Sequence, residues 1–469
     1  MIDRTARAVL ALLLVTAAPA ALAQSAFTTL DRIGAAEVKF SAGERQPIEA
    51  GAEVTVTGTG FKPGQKVTLL YATTPLGSPL TADPQGKVTG RITVPANAVP
   101  GNHPILVVAE GPYFATVADL KVSPTIPLSG QKDFEITQGQ AARGLYQSAY
   151  SPKNDALFVA SAVGRPPVRQ SELLKLDPRT LKVVARVTPA PAPARAARPG
   201  SPAGAPAREP GLFAVYGVGV DDARDQLWVT NSRQNTVSVY RQGDLGLVKQ
   251  FAPETVAHPR DIVVDTAMGK AYASSIGKPE LVVFDTAGLS VAKKVSIQAR
   301  GRGKEFSPAS LSLDAKAHRL YAVSLSTSEV AVVNTQTDSV EKVLPVPGAR
   351  GAIGVSHDPQ TGRIFVAAQG SDNLVVLDAT GTVIADTPVG AGALNVVFDP
   401  VNRLAYVSNR GAGTIAVTDI DGRIVANLGP APMANHVALG KDGVVYAVDK
   451  SANARVVDGD TVLRIRPRR

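Results

Sequence analysis

The sequence predicts an all-β protein in which a β-sandwich precedes a seven-bladed β-propeller. Two observations lead to this fold class. Segments with period-two alternation occur between residues 38 and 124, and a short phrase centred on an aromatic residue then recurs seven times. Alternation of this kind is typical of strands with one buried face, whereas a long repeat indicates stacked supersecondary units. We therefore place the two domains at residues 24–125 and 131–469.

The N-terminus has the pattern of a secretory signal peptide. Arg4 and Arg7 precede an apolar run, and the small-x-small sequence Ala21-Leu22-Ala23 follows it. The run is shorter than a membrane-spanning helix requires, so we expect cleavage near Ala23 and a periplasmic or secreted protein with no transmembrane segment. An uncleaved anchor is the alternative. The chain has no cysteine, so we also expect a fold without disulfides.

Five alternating segments predict the strands of the first domain. They are AEVTVTG (52–58), KVTLLYAT (66–73), KVTGRITV (87–94), HPILVVAEG (103–111) and YFATVADLKV (113–122). Short strands separated by Pro- and Gly-rich turns favour a β-sandwich. The stretch VTVTGTGFKPGQKVTLLY also resembles the opening of bacterial Ig-like domains of the IPT/TIG group, in which Gly60 and Gly64 would permit the turns.

The recurring phrase defines seven repeats in the second domain. Its aromatic residues are Phe158, Trp228, Tyr272, Tyr321, Phe365, Tyr406 and Tyr446, at successive intervals of 70, 44, 49, 44, 41 and 40 residues. The sixth repeat contains NVVFD, LAYVSN, TIAVTD and RIVANL, joined by tight connections with no room for a helix. Four antiparallel strands in a repeat of this length predict one propeller blade.

The long first interval contains an insertion. Residues 189–211 include seven prolines and no apolar period, so they cannot pair in a sheet and are expected to loop out. Without these 23 residues the interval is 47, which lies within the range of the others.

The last blade can be completed in two ways. TVLRIR (461–466) is either its outer strand or its third strand, and in the second case KDFEITQ (132–138) supplies the fourth. The second arrangement joins the two ends of the ring and leaves no open edge, so we favour it.

The repeats resemble those of the YVTN β-propellers, a WD40-like architecture. AYVSNRGAGTIAVTD and LWVTNSRQNTVSVY carry the resemblance, and the order of motifs over residues 131–469 is similar to that of periplasmic YncE-type members. The resemblance implies a seven-bladed propeller and no particular function, because such propellers serve unrelated roles. The Ig-like domain and the insertion depart from the family pattern.

We interpret the repeated aromatics and aspartates structurally. The aromatics belong to the second strand of each blade and are expected to pack between blades. The aspartates that follow first and third strands lie where Asx turns are expected. They are Asp177, Asp221, Asp265, Asp285, Asp314, Asp358, Asp378, Asp399, Asp419 and Asp458.

Positive charge is concentrated in the propeller. The chain carries a net charge of +9, to which residues 24–130 contribute nothing. The connections expected at one mouth of the central channel, between blades and between second and third strands, hold about the whole excess. A mouth of one sign favours anionic partners, such as a small anionic molecule, a polyanionic glycan, an acidic peptide or nucleic acid. The alternative is that these are ordinary solvated loop charges.

The predicted ligand-binding residues lie in these connections or near the starts of the first strands. They are Arg143, Arg233, Arg260, Arg350, Asn395, Arg410, Asn435 and Lys450. Arginine is suited to bidentate recognition of phosphate or carboxylate. For nucleic acid, only Phe306 offers an obvious stacking ring among the basic loops.

An enzyme is the less favoured class. The predicted channel-lining strands lack the inward carboxylates that a metal-dependent lactonase needs, and Trp228 is the only tryptophan, unlike in quinone-cofactor propellers. His258 with Asp261, or His436 with Asn435, could form an acid/base pair, so a lactonase-like or other hydrolase stays open. We expect no cofactor and no metal, a monomer, and, as a further option, a protein partner at the Ig-like domain.

Overall fold

The computed structural model describes residues 36–111, 113–194, 209–450 and 460–468. Within these ranges the chain forms strands and three single-turn 3₁₀ helices (Gln131–Asp133, Ser232–Gln234 and Lys441–Gly443), and no α-helix. No helix in the described ranges is long and apolar enough to cross a membrane. The predicted signal peptide (1–23), the middle of the insertion (195–208) and the predicted turn residue Asp458 lie outside the described residues.

The chain divides into two units, and the first contains residues up to Gly43 together with Gly51–Pro95 and Asn102–Lys121. Its strands are β1 (Glu37–Ser41), β2 (Glu53–Thr59), β3 (Lys66–Tyr71), β4 (Thr74–Pro75), β5 (Leu80–Thr81), β6 (Val88–Thr93), β7 (Gly101–Glu110) and β8 (Phe114–Val122). They form a three-stranded sheet, in the order β1-β2-β6, and a five-stranded sheet, in which β4-β3-β7-β8 are neighbours and β5 also pairs with β3.

All five strands predicted for this unit are confirmed, as β2, β3, β6, β7 and β8. Strand β2 alternates as predicted, with Val54 and Val56 buried. Gly60 and Gly64 have φ of 86° and 74°, a left-handed conformation that favours glycine, which confirms their role in the turns. Strand β1 was not predicted. The identity of the unit as an Ig-like domain stays a prediction.

The second unit contains seven four-stranded antiparallel sheets in its described residues, which we number as blades 1 to 7. Blades 1 to 3 are β10 (Leu145–Ser151), β11 (Ala156–Val163), β12 (Gln170–Leu176) and β13 (Val183–Val187); β14 (Val218–Asp221), β15 (Gln226–Asn231), β16 (Thr236–Arg241) and β17 (Leu247–Gln250); and β18 (Pro259–Asp265), β19 (Lys270–Ser275), β20 (Glu280–Asp285) and β21 (Ser290–Ser296). Blades 4 to 6 are β22 (Pro308–Asp314), β23 (Arg319–Ser324), β24 (Glu329–Asn334) and β25 (Ser339–Pro345); β26 (Ala352–His357), β27 (Ile364–Ala368), β28 (Asn373–Leu377) and β29 (Val383–Pro388); and β30 (Ala393–Asp399), β31 (Leu404–Asn409), β32 (Thr414–Thr418) and β33 (Ile424–Leu428). Blade 7 is β34 (Ala434–Leu439), β35 (Val445–Asp449), β36 (Thr461–Pro467) and β9 (Phe134–Gln140).

The first strands of the blades form a closed inner ring. Each of them contacts the first strand of the next blade, and β34 of blade 7 contacts β10 of blade 1. This arrangement is a seven-bladed β-propeller, so the predicted fold class is confirmed for the second unit.

The repeated aromatics pack between blades, as predicted. Seven apolar clusters each join one blade to the next, and each cluster contains a different aromatic of the series. All seven aromatic side chains are buried. Apolar burial between successive blades therefore holds the ring together.

The repeated aspartates form turns, also as predicted. The nine of them that the structure describes each accept a hydrogen bond from a backbone amide two or three residues further on. Such a carboxylate fixes the reversal between two strands.

The favoured ring closure is confirmed. β36 is the third strand of blade 7, and it pairs along its whole length with β9, from Thr461 opposite Gln140 to Pro467 opposite Phe134. Phe134 is buried in the cluster between blades 6 and 7, where its ring meets that of Tyr406 edge-on at 6.4 Å.

The ends of the insertion are joined at a narrow neck. The amide of Ala192 donates to the carbonyl of Gly211 at 2.7 Å, and the amide of Phe213 donates to that of Ala190 at 3.0 Å. These two bonds fix the base of the connection between blades 1 and 2.

Truncation of the closing strand's buried ring should destabilise the propeller. We expect Phe134→Ala to lower the free energy of unfolding by about 3 to 5 kcal/mol, because a buried aromatic contact is lost. Thr137→Ala, at an exposed position of the same strand, should change it by less than about 0.5 kcal/mol. Trp228 is the only tryptophan and is buried in the propeller, so its fluorescence during urea denaturation reports this unit. Equal unfolding midpoints for the two variants would contradict the prediction.

Candidate functional site

Six of the seven inner strands have an irregular register near their first residue. The shifts occur in β10, β18, β22, β26, β30 and β34. A bulge takes residues out of the ladder and re-aims their side chains. Tyr146, Arg260 and Asn435 occupy the bulges of blades 1, 3 and 7. These bulges place three polar side chains at the end of the ring where the inner strands begin.

A pocket of about 140 Å³ lies at this end, and we call it the mouth pocket. Blades 7, 1, 2 and 3 supply its main lining residues, which are Asn435, His436, Tyr146, Tyr216, Arg233, His258 and Arg260. None of the described residues that line it is acidic.

Two tyrosines and two cations form one side of the pocket. The rings of Tyr146 and Tyr216 meet edge to face, 4.3 Å between centroids. Arg233 donates from Nε to the Tyr216 hydroxyl at 3.1 Å, and Lys450 Nζ lies 3.3 Å from the centroid of the Tyr146 ring. Burial raises the pKa of Tyr146, while the nearby arginines oppose the rise. Each ring therefore holds a cation against its face beside the pocket, Arg233 on Tyr216 and Lys450 on Tyr146.

Arg260 is the most constrained of the cations. Its Nε is shielded from solvent and has no hydrogen-bond partner in the described structure. Burial lowers the pKa of its guanidinium, and the charge of Arg410 lowers it further, against the opposing effect of Asp261. A buried donor without a partner is costly, and the residue also lines the pocket, so an anion there would meet a guanidinium whose charge is poorly balanced by the protein.

His436 is held neutral. Burial, and next the charge of Arg260, lower the pKa of its imidazole to about 3. Its Nδ1 accepts a hydrogen bond from the amide of Ser148 at 3.4 Å. Because Nδ1 accepts, the proton of the neutral ring is on Nε2. His436 thus acts as a hydrogen-bond donor without adding charge.

The acidic residues nearest the pocket are bound to backbone amides. Asp261 accepts from the amides of Ile262 and Leu311, each at 2.9 Å, and burial raises the pKa of its carboxyl to about 6. Asp460 accepts from the amides of Gly144 and Leu145 at 2.7 and 3.0 Å. These carboxylates support the strands around the pocket and do not line it.

Five of the eight predicted ligand-binding residues lie in or beside the mouth pocket. Arg233, Arg260 and Asn435 line it. Lys450 covers a face of Tyr146, and exposed Arg410 is close enough for its charge to lower the pKa values of Tyr146, Arg260 and Lys450. The predicted mouth charges therefore come together mainly on one side of the ring.

The structure places the other three elsewhere. Arg143 lines a separate groove beside Arg169 and Arg186 of blade 1. Arg350 is exposed between blades 4 and 5 and does not line the pocket. Asn395 is buried, and its Oδ1 accepts from the amide of Val437 at 2.9 Å, which joins blades 6 and 7. Arg143, Arg260 and Arg350 all lie near the starts of first strands and were expected to share one site. That expectation is corrected, because only Arg260 lines the pocket.

The weak catalytic candidates have other partners. Both carboxylate oxygens of Asp261 accept hydrogen bonds from backbone amides. His258 is exposed, and its backbone amide donates to Asn235 Oδ1 at 2.9 Å. Asn435 donates from Nδ2 to the carbonyl of Tyr146 at 2.8 Å. No group of three or more His, Cys, Asp or Glu in the described ranges could hold a metal ion.

Sequence reasoning missed the two tyrosines and misplaced one phenylalanine. Tyr146 precedes the alternating segment QSAYS (147–151), and Tyr216 lies two residues before VGVD (218–221). Arg260 and Asn435 hold the equivalent positions before their own first strands, and this alignment was the available signal. Phe306 is buried in the cluster between blades 3 and 4. It cannot stack on a nucleobase, so the expectation of a stacking ring there was wrong.

The fold belongs to the β-propeller class, and comparison with known proteins agrees. No family model matches the chain. The chain is 25% identical over 269 residues to the "Uncharacterized protein YncE" of Escherichia coli O157:H7, covering 55% of this chain and 68% of the relative. A YncE of Salmonella typhi is 25% identical over 263 residues, covering 54% and 67%. This is weak homology to YncE, a YVTN-type propeller protein.

The similarity of this chain to solved structures supports its fold and says nothing of its function. A chain of Kuenenia stuttgartiensis hydrazine synthase has a TM-score of 0.55 at 16% identity, covering 70% of this chain and 96% of that one. The structure of U3-55K has a TM-score of 0.52 at 11% identity, covering 72% and 99%.

The neutral state of His436 should make the propeller acid-sensitive. The folded pKa of about 3 lies below the ordinary value of about 6.5, so the folded state resists protonation. The stability that the neutral ring provides is present above about pH 6.5 and is lost as the pH falls toward 3. On acidification from about pH 7.5 to about pH 5, His436→Gln should therefore lose less stability than the wild type, by up to about 2 kcal/mol. Urea denaturation followed by Trp228 fluorescence measures this, and parallel curves of stability against pH would contradict it.

Proposed function

We propose that this protein is an exported, non-enzymatic binding propeller that recognises an anionic ligand at the mouth pocket. The observation that carries the proposal is that two arginines, Arg233 and Arg260, line a pocket whose described lining residues include no acid. An anion would supply the missing countercharge.

The electrostatics of the mouth support the same conclusion. Burial is the largest cause of the lowered pKa values of Arg260, Lys450 and His258, and the charge of Arg410 lowers the first two further, as that of Arg233 lowers the third. Cations that depress one another's pKa repel each other, and a bound anion relieves that repulsion. The protein's net charge of +9 adds a long-range attraction for anions.

Export is proposed from the sequence of residues 1–23, which has the pattern of a cleaved signal peptide. A hydrolase is not favoured, because Asp261 and His436 both bind backbone amides. Nucleic acid is the least favoured anion, since Phe306 is buried.

Charge reversal at the mouth should remove binding without unfolding the protein. Arg410 is exposed, so Arg410→Glu should weaken the binding of glucose 6-phosphate, heparin or an aspartate-rich peptide by about tenfold or more, whichever of them binds. Lys441→Glu makes the same charge change at the other end of blade 7, because Leu439 and Val445 pair there, and should alter affinity less than about twofold. Calorimetric titration at low and high salt should also show affinity falling with salt. Equal binding by the two variants would overturn the proposed function, as would no binding of any probe.

Anion affinity should depend on the protonation of Lys450. Burial, and next the charge of Arg410, lower the pKa of this amine to about 7; Asp460 opposes the shift, and Arg233 and Arg45 add to it slightly. A bound anion stabilises the charged form, so affinity should fall as the pH rises from about 7 to about 9.

The matched variant for this pH test is Lys450→Met. With glucose 6-phosphate as the probe, the phosphate stays dianionic over the same range, because its second pKa is about 6. Lys450→Met should bind more weakly at pH 7 and show a flatter profile. The same slope in both proteins would exclude Lys450 as the titrating group.

A further inference from the structure

The size of the mouth pocket limits what can enter it. Its volume of about 140 Å³ is below the range of about 300 to 1,000 Å³ typical of small-molecule sites. A small charged group such as a phosphoryl group suits a pocket of this size better than a whole drug-sized ligand does.

The polar groups that line the pocket are mostly donors. Arg260 and Arg233 line the pocket, and a guanidinium has donors only. His436 offers Nε2–H, because its Nδ1 already accepts from Ser148. Asn435 is oriented by its bond to the Tyr146 carbonyl. A group that only accepts hydrogen bonds matches this lining better than one that must also donate.

The charge of the site favours a dianion. Arg233 and Arg260 line the pocket, and Lys450 and Arg410 stand beside it. A phosphate monoester carries about −1.5 to −2 at pH 7 and has three acceptor oxygens, whereas a sulfate monoester or a phosphodiester carries a single negative charge. A phosphate monoester therefore relieves more of the repulsion between these cations than a sulfate monoester or a phosphodiester does.

We propose that the mouth pocket binds the terminal phosphate monoester of a ligand whose remaining part lies in solvent, an inference that rests on the anion-binding function proposed above. The phosphate accepts from Arg260 and His436, while Arg233 and Lys450 balance its second charge. A phosphodiester brings a single negative charge and so balances these cations less well. The site thus favours a phosphate at the end of a molecule.

Three phenyl esters test the proposal, because they share the same ring. Phenyl phosphate, phenyl sulfate and methyl phenyl phosphate differ in charge or in the second ester arm. By calorimetric titration of the mature protein, phenyl phosphate should bind at least about tenfold more tightly than the other two, a difference of about 1.4 kcal/mol. Arg260→Gln should remove this preference. Arg260→Lys, which keeps the charge and lacks Nε, should retain only part of it, and circular dichroism checks that both variants are folded.

The outcomes separate this inference from the proposed function. Equal affinity for the three esters, weakened by Arg410→Glu, would overturn the phosphate-monoester assignment and leave anion binding in place. Binding of heparin with no binding of phenyl phosphate would do the same. No binding of the esters, heparin or the acidic peptide would overturn both. A preference for phenyl phosphate that Arg260→Gln leaves unchanged would overturn the assignment of Arg260.

Discussion

The pairing of β9 with β36 completes blade 7 with a strand that leads directly into blade 1, and so closes the ring at the boundary between these two blades. The mouth pocket lies across that boundary, with Asn435 on one side and Tyr146 on the other. Asp460, just before β36, holds the amides of Gly144 and Leu145, just before and at the start of β10. The strand that completes the fold therefore also positions two sides of the candidate site, so that local stability at this boundary and ligand binding are physically coupled.

The site is electrostatically unfavourable in the free protein. An unpartnered buried donor costs about 1 to 3 kcal/mol, and Arg260 adds to this the repulsion of Arg410. Neighbouring blades offset the cost, because seven apolar clusters join the blades into one ring. A functional site of this kind is expected to be less stable than its surroundings.

Much of the propeller could be predicted from sequence, because each blade repeats the same local physics. An aromatic in the second strand must be buried and an aspartate after a strand makes a turn, so both recur at every blade. The site could be predicted only in part. The bulges that re-aim Tyr146 and Arg260 are local interruptions of the ladder, which an alternating pattern does not reveal. The contact of Asp261 with the Leu311 amide joins blades 3 and 4 across 50 residues, and the burial of Phe306 follows from packing that its basic neighbours conceal.

The neck between blades 1 and 2 has a consequence for the evolution of this chain. Backbone hydrogen bonds hold Ala190 and Ala192 against Phe213 and Gly211. The position of blade 2 in the ring is therefore independent of the length of the chain beyond the neck. Loop-closure entropy rises by only about 0.6 kcal/mol for each doubling of length. New segments, including whole folded modules, can therefore be acquired at this point by gene insertion without disturbing the ring, and the proline-rich stretch marks the place where the propeller accepts them.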